Sequence, residues 1–292
     1  MAVDPEELEP LVALLDDSDT VVTELVDQRL TSFGPGVVRS LRNISEREED
    51  SARKAVIVER AQKLNTAFKL ADLQDFTQRN PGPLSLFEGS WILSSLFDWT
   101  LQRERYEDLF FRCSQAYLAE GSDQRTGVEN IRILNHIFYH RLKFTLFDVQ
   151  LKDPQYAFVN RVLKTHEGNP FTLALIYLMI CQVSGLPVEL LCFPGGFVPA
   201  YVEGGKVLFY INLYRGGELF PKDRLDTFLK ATGLKFDRSA FRRRDESAML
   251  TLYLESLLYI HSNRKDDRTS TVIDRALTIL GPERYLTIDE PE

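Results

Sequence analysis

The sequence predicts an α+β protein: a helical region, then a small antiparallel sheet behind a buried helix, then a short helical tail. Three observations predict it. Apolar residues of the first third recur at helical spacing. Residues 160–212 read as loop, apolar helix, Gly-Leu-Pro turn and three short strands. Beyond Ser239 the leucines return to helical spacing. The implied domains are 1–125, helical; 126–232, the α+β core; and 233–292, the helical tail.

In chain order, Leu8, Leu11, Leu14 and Leu15 share a helical stripe. Residues 16–19 are cap-type acids and serine, and Val21, Val22, Leu25, Val26 and Leu30 follow at helical spacing. Gly34-Pro35-Gly36 ends that helix, and Val37, Val38 and Leu41 begin another. The succession of short helices resembles a HEAT-type unit, although no second copy recurs at a fixed period. Residues 79–83 form a turn cluster. Phe87, Trp91, Phe97, Trp99, Tyr106, Phe110 and Phe111 follow, and aromatic residues at such spacing read as core rather than as a stacking platform. Gly121-Ser122-Asp123 precedes a helix with Val128, Ile131, Leu134, Ile137 and Phe138, and residues 156–163 form a short helix.

Residues 171–184 are apolar on nearly every face, which predicts the central buried helix, stopped by Gly185-Leu186-Pro187. Residues 188–193, 197–202 and 206–212 have strand length and apolar character, with Gly204-Gly205 as a hairpin turn. Leu219-Phe220 adds a short strand, and Pro221 opens a helix that Gly233 ends. Leu250, Leu254, Leu257 and Leu258, then Val272, Ile273, Ala276 and Ile279, form a helical pair that resembles one TPR-type hairpin.

Composition narrows the classes. The 292 residues are 44% hydrophobic and 27% charged, a globular balance with ample core. Three cysteines, Cys113, Cys181 and Cys192, include no CxxC pair, so a disulfide framework is not expected and a reducing cytoplasm is the expected compartment. The first ten residues are acidic and lack an apolar core, so no leader is expected there, and no apolar run is long enough to span a bilayer. A net charge of -8 disfavours general nucleic-acid binding. The one basic cluster, Arg242-Arg243-Arg244, reads as a solvated approach to the next helix.

Candidate chemistry is sparse. His136 and His140 have the spacing of two metal ligands on a helix, but HExxH is absent and the sequence places no third ligand. No metal or cofactor is therefore expected. The glycine pairs at 195–196, 204–205 and 216–217 lack the surroundings of a phosphate loop and read as turns. Cys181 lies in the apolar helix and Cys192 in an apolar strand, where packing outweighs nucleophilicity.

From residue 133 to 229 the chain resembles the SirB-type branch of the transglutaminase-like superfamily. The resemblance is carried by Leu134-Asn135-His136-Ile137-Phe138, Asp153-Pro154 with Asn160-Arg161-Val162-Leu163, Gly168-Asn169-Pro170-Phe171-Thr172-Leu173, Tyr177-Leu178, Gly185-Leu186-Pro187-Val188, Pro194-Gly195-Gly196-Phe197 and Tyr210-Ile211-Asn212. It implies a papain-like core. In catalytic members a Cys opens the central helix, a His on the next strands deprotonates it, and an Asp orients the His. By this resemblance the Cys position is Pro170, the His position Gly196 and the Asp position Asn212. Proline carries no nucleophile and glycine moves no proton, so the triad reads as eroded. The expected function is a noncatalytic binding or scaffold module for a protein or peptide. Its candidate cleft comprises Asn169, Pro170, Thr172, Gly195, Gly196 and Asn212. The alternative is a peptidase or amidase-type hydrolase or acyl transferase with a site rebuilt from Thr172, Cys192 or His166.

Overall fold

The computed structural model describes residues 3, 5–79, 84–120, 122, 124–193, 196–231 and 242–286. Several expected features lie outside these residues: the turn at 80–83, Gly121, Asp123, Pro194, Gly195, Gly233 and Ser239. The chain divides into two compact units, Met1–Asp75 with Ile92–Leu101, and Phe76–Trp91 with Gln102–Glu292.

The first unit is helical, with α1 (Pro5–Val12), α2 (Thr20–Ser32), α3 (Gly36–Arg47), most of α4 (Ser51–Arg79) and the second half of α5 (Leu86–Phe97). Asp19 caps α2, its carboxylate accepting the Val21 amide at 2.8 Å, as the acidic turn predicts. Leu8, Leu30, Val37, Leu41, Ile57 and Ala61 belong to one buried core. Two expectations shift. Val21 and Leu25 are 61% and 59% exposed, so α2 buries the narrower Val26–Leu30 face. The helices are also not all short, because α4 runs 29 residues. Nothing between Ser51 and Arg79 is Gly or Pro, and Ala, Leu, Lys, Arg and Gln sustain the helix.

The second unit is mixed. α6 (Arg103–Leu118) precedes α7 (Gly127–Asn135), which starts with a capping box between Thr126 and Glu129. A π-helical turn, His136–Arg141, continues α7, with the Leu142 amide donating five residues back to Ile137 at 2.8 Å. β1 (Thr145–Leu146) pairs in parallel with β2 (Glu167–Gly168), and α8 (Val159–Thr165) lies between them in the chain. α9 (Pro170–Val183) is buried at every residue from Pro170 to Cys181. Each fully buried Leu, Ile or Phe there contributes about 1.5–3 kcal/mol of apolar transfer.

β3 (Val188–Phe193), β4 (Gly196–Glu203), β5 (Lys206–Asn212), β6 (Glu218–Phe220) and β7 (Arg242–Arg244) form one antiparallel sheet in the order β6-β5-β4-β3-β7. α10 (Leu225–Ala231), α11 (Glu246–Asn263) and α12 (Asp267–Leu280) complete the chain. Residues 196–202 of β4 are all buried, which is why this central strand reads as an apolar run rather than an alternation. The basic cluster differs from its expected role. Arg242, Arg243 and Arg244 are an edge strand paired with Cys192, Leu191 and Leu190, and the tail helix starts only at Glu246. An edge strand answers to backbone pairing, which a run of identical side chains does not signal.

Candidate functional site

The predicted site begins at the start of α9. Pro170 takes the first helical position, where its missing N–H costs no hydrogen bond. Asn169 is the cap: its Oδ1 accepts the Thr172 amide at 2.9 Å, and its own amide donates to the Tyr156 carbonyl at 2.8 Å. Among the described residues, its buried Nδ2 meets no acceptor. The Thr172 hydroxyl donates to the Ala157 carbonyl at 2.7 Å. Asn169 and Thr172 are both 0% exposed. Phe171 and Phe197 have ring centroids 5.6 Å apart, which brings the start of α9 to the start of β4.

Gly196 is buried and pairs with Phe193. A Cβ there would lie 2.7 Å from the Phe193 ring, so a larger residue would require that ring to move. Asn212 is half-buried, and its side chain accepts the Tyr214 amide at 3.2 Å. The β4–β5 ladder runs from Glu203–Lys206 to Ala200–Tyr210 and ends at Pro199, which has no amide hydrogen. Beyond that point Ile211 and Asn212 pair with β6, whereas Gly196 pairs with β3. The structure thus places Gly196 and Asn212 on separate ladders.

The turn after Asn212 is held by polar contacts that sequence reasoning did not single out. The Tyr177 hydroxyl donates to Asn135 Oδ1 at 2.8 Å, and Asn135 Nδ2 donates to the Gly217 carbonyl at 2.6 Å. Tyr139 donates to the Leu213 carbonyl at 3.3 Å. Gly217 has φ +76°, and a Cβ there would meet Asn135 Oδ1 at 2.3 Å, so glycine is required twice over. Burial raises the Tyr177 phenol well above its ordinary range, which keeps it a neutral donor. The Gly216-Gly217 pair was the available signal, since its positive φ marks a turn that must meet a neighbour closely.

The other candidates have structural surroundings. His166 is the left-handed cap of α8, its Nδ1 donating to the Leu142 carbonyl at 2.5 Å and its ring lying 4.5 Å from Phe144. His136 and His140 are exposed on the π-helical turn with rings 5.6 Å apart. His261 is buried on α11, its Nδ1 2.9 Å from Asp266. Among the described residues, no three His, Cys, Asp or Glu side chains gather as a metal set. All three cysteines are buried. Burial alone pushes the Cys113 thiol up to about 11, and burial likewise raises Cys181 far above the ordinary thiol range.

Two cavities of about 750 Å³ each lie in this unit. One is an apolar groove beside α6 and the end of α9, and the other surrounds the start of α7 and the Gly185-Leu186-Pro187 turn. Neither is lined by Asn169, Pro170, Thr172, Gly196 or Asn212, and Gly195 lies outside the described residues. No described helix is long and apolar enough to cross a membrane.

Comparison with known proteins gives distant relatives. A UPF0162 protein of Xylella fastidiosa strain 9a5c is 23% identical over 171 residues, covering 53% of this chain and 60% of that protein. A UPF0162 protein of strain Temecula1 is 26% identical over 109 residues, covering 35% of this chain and 38% of that protein. F-box only protein 21 of Mus musculus is 24% identical over 102 residues, 35% of this chain but 16% of the mouse protein. The chain therefore spans less than two thirds of each relative's length. No solved structure matches. The family model described as Transglutaminase-like superfamily matches residues 103–254, just over half of the chain and the stretch that contains α9 and strands β3 to β7. On that match, the chain belongs to the transglutaminase-like superfamily.

Proposed function

We propose that this chain is a noncatalytic binding module on a transglutaminase-like frame, of the SirB-type branch that its motif series resembles. The observation that carries the reading is the occupancy of the triad positions. Pro170 opens the helix, the Phe193 ring fills the space at Gly196, and Asn212 caps the turn after β5. Acyl transfer needs a nucleophile held within reach of a base. The nearest hydroxyl on α9, that of Thr172, is enclosed and committed to the Ala157 carbonyl. Asn169, Pro170, Thr172 and Gly196 are buried, so the reading favours a binding surface elsewhere in the unit over a ligand seated among them.

The test is an ammonia-release assay on glutamine-containing peptides, with and without a primary amine acceptor. The expected result is no release above buffer. Release that disappears in Cys192→Ala or Thr172→Val would overturn the reading in favour of a rebuilt peptidase or amidase site.

A further inference from the structure

The cavity at the start of α7 gathers hydrogen-bond donors that the fold leaves unused. The first four amides of a helix have no acceptor within it. The capping box serves one of them, the Glu129 amide, which donates to the Thr126 hydroxyl at 3.3 Å. Among the described residues the Gly127 and Val128 amides meet no acceptor, and both residues line the cavity. Tyr201 brings a third donor to the same place. A Cβ on Gly127 would lie 2.8 Å from the Tyr201 oxygen and 2.4 Å from its ring, so only glycine lets the phenol approach the α7 backbone. Tyr201 is 8% exposed, and among the described residues its hydroxyl has no hydrogen-bond partner. Burial, with the Glu203 carboxylate second, raises the phenol above its ordinary value and keeps it a neutral donor. The ring is held by Phe209, stacked at 5.0 Å. The β4–β5 register shifts between Tyr201 and Val202, and such irregularities re-aim a side chain. The Ser184 hydroxyl, buried without a partner among the described residues, belongs to the same lining.

These donors converge on an acceptor that carries negative charge. Among the described residues the charged groups of the lining are Arg125 and Glu203. Arg125 donates to the Glu120 carbonyl, which is neutral, so its charge stays available. The Glu129 carboxylate is spent on the Thr126 amide and hydroxyl, each at 2.8 Å. One guanidinium beside Glu203 suits a singly charged carboxylate better than a phosphate dianion. Leu118 and Leu208, 42% and 44% exposed, supply apolar wall next to the donors. The volume of about 750 Å³ lies within the usual range of about 300–1,000 Å³ for ligand sites. It holds several residues of an extended chain, and a terminal carboxylate captured by backbone amides is a recurring mode of peptide recognition.

We propose that this cavity binds the C-terminal carboxylate of a peptide ending in an apolar residue, held by the Gly127 and Val128 amides, the Tyr201 hydroxyl and Arg125. The proposal rests on the reading of the chain as a binding module, and it names the group recognised. The test uses the full chain and short fluorescent peptides ending in valine, leucine or phenylalanine, followed by anisotropy. Each peptide is made as the free acid and as the C-terminal amide. At least one acid should bind, and its amide should bind at least about tenfold more weakly. Tyr201→Phe should lose about tenfold in affinity for the acid. It keeps the ring against Gly127 and Phe209 and removes a hydroxyl with no partner, so its melting temperature should match the parent's. Arg125→Gln, at an exposed position, should weaken binding and flatten its salt dependence. Acetate should displace the acid peptide at least as well as inorganic phosphate does.

No binding by any of the acids, equal binding of acid and amide, or affinity unchanged in both variants would overturn the proposal. Displacement by phosphate at lower concentration than acetate would overturn it too, in favour of a phosphate group as occupant. Ammonia release by the chain would sink the noncatalytic reading without altering these affinities. Failed peptides would leave the ammonia assay as it stands.

Discussion

Glu255 is a buried carboxylate, with only 3% of it meeting solvent. Its carboxylate accepts the amides of Tyr285 at 3.0 Å and Leu286 at 2.9 Å, tying the end of the described chain to α11. Burial raises its pKa above the ordinary 4.5 and outweighs those two amides, which pull it down. The folded state therefore holds the proton more tightly than the unfolded chain does. The stability this contributes is complete below pH 4.5 and is lost as pH rises through the raised folded value. Urea midpoints measured across that range should decline for the parent and stay flatter for Glu255→Gln. An unchanged slope would assign the pH dependence to other groups. Single residues of the candidate site were legible in the sequence only by identity. Pro170 announced a helix start without a nucleophile, whereas Asn169, read as a cleft residue, is the cap of α9. That the Phe193 ring occupies the space at Gly196, or that Thr172 is spent on Ala157, depends on tertiary neighbours that no local spacing encodes.

Elements whose burial follows from one strong pattern were legible, and those defined by a partner were not. α9 and the strands β3 to β5 lie within a residue or two of their expected bounds, because an unbroken apolar run and a Gly-Leu-Pro stop leave little alternative. β7 was missed because three arginines carry no strand pattern, and only the backbone of β3 calls them into the sheet. α4 was missed as a single helix because its charged and apolar residues alternate without a dominant stripe, while nothing along it breaks the helix. The cap of α9 permits a direct test. Asn169→Ala should cost about 1 kcal/mol by freeing the Thr172 amide, and Asn169→Ser, which keeps a side-chain oxygen, should recover most of it. Chemical denaturation of the three proteins reads the difference. Equal midpoints for alanine and serine would show that the cap contributes nothing.

For the molecule as a whole, each of the two units carries its own helices, and the second adds the five-stranded sheet. Its cysteines are held as apolar filling, on α6, α9 and β3. At neutral pH a disulfide-exchange reagent should therefore label Cys113, Cys181 and Cys192 only as fast as the protein unfolds. Labelling should become complete in denaturant. Rapid labelling of one thiol in the native protein would mark that cysteine as reachable and revive a chemical role for it. The sequence foretold the order of these parts along the chain. It did not foretell the apolar groove, whose walls come from segments nearly a hundred residues apart, Phe87 and Met179 among them.

The ladder end at Pro199 has an evolutionary consequence. A proline in the middle of a sheet splits it into two arms, one carrying Gly196 and the other Asn212. Strands that share rungs must change together, whereas forked arms drift independently. A substitution that displaces Gly196 therefore strains its pairing with β3, and one that displaces Asn212 strains its pairing with β6.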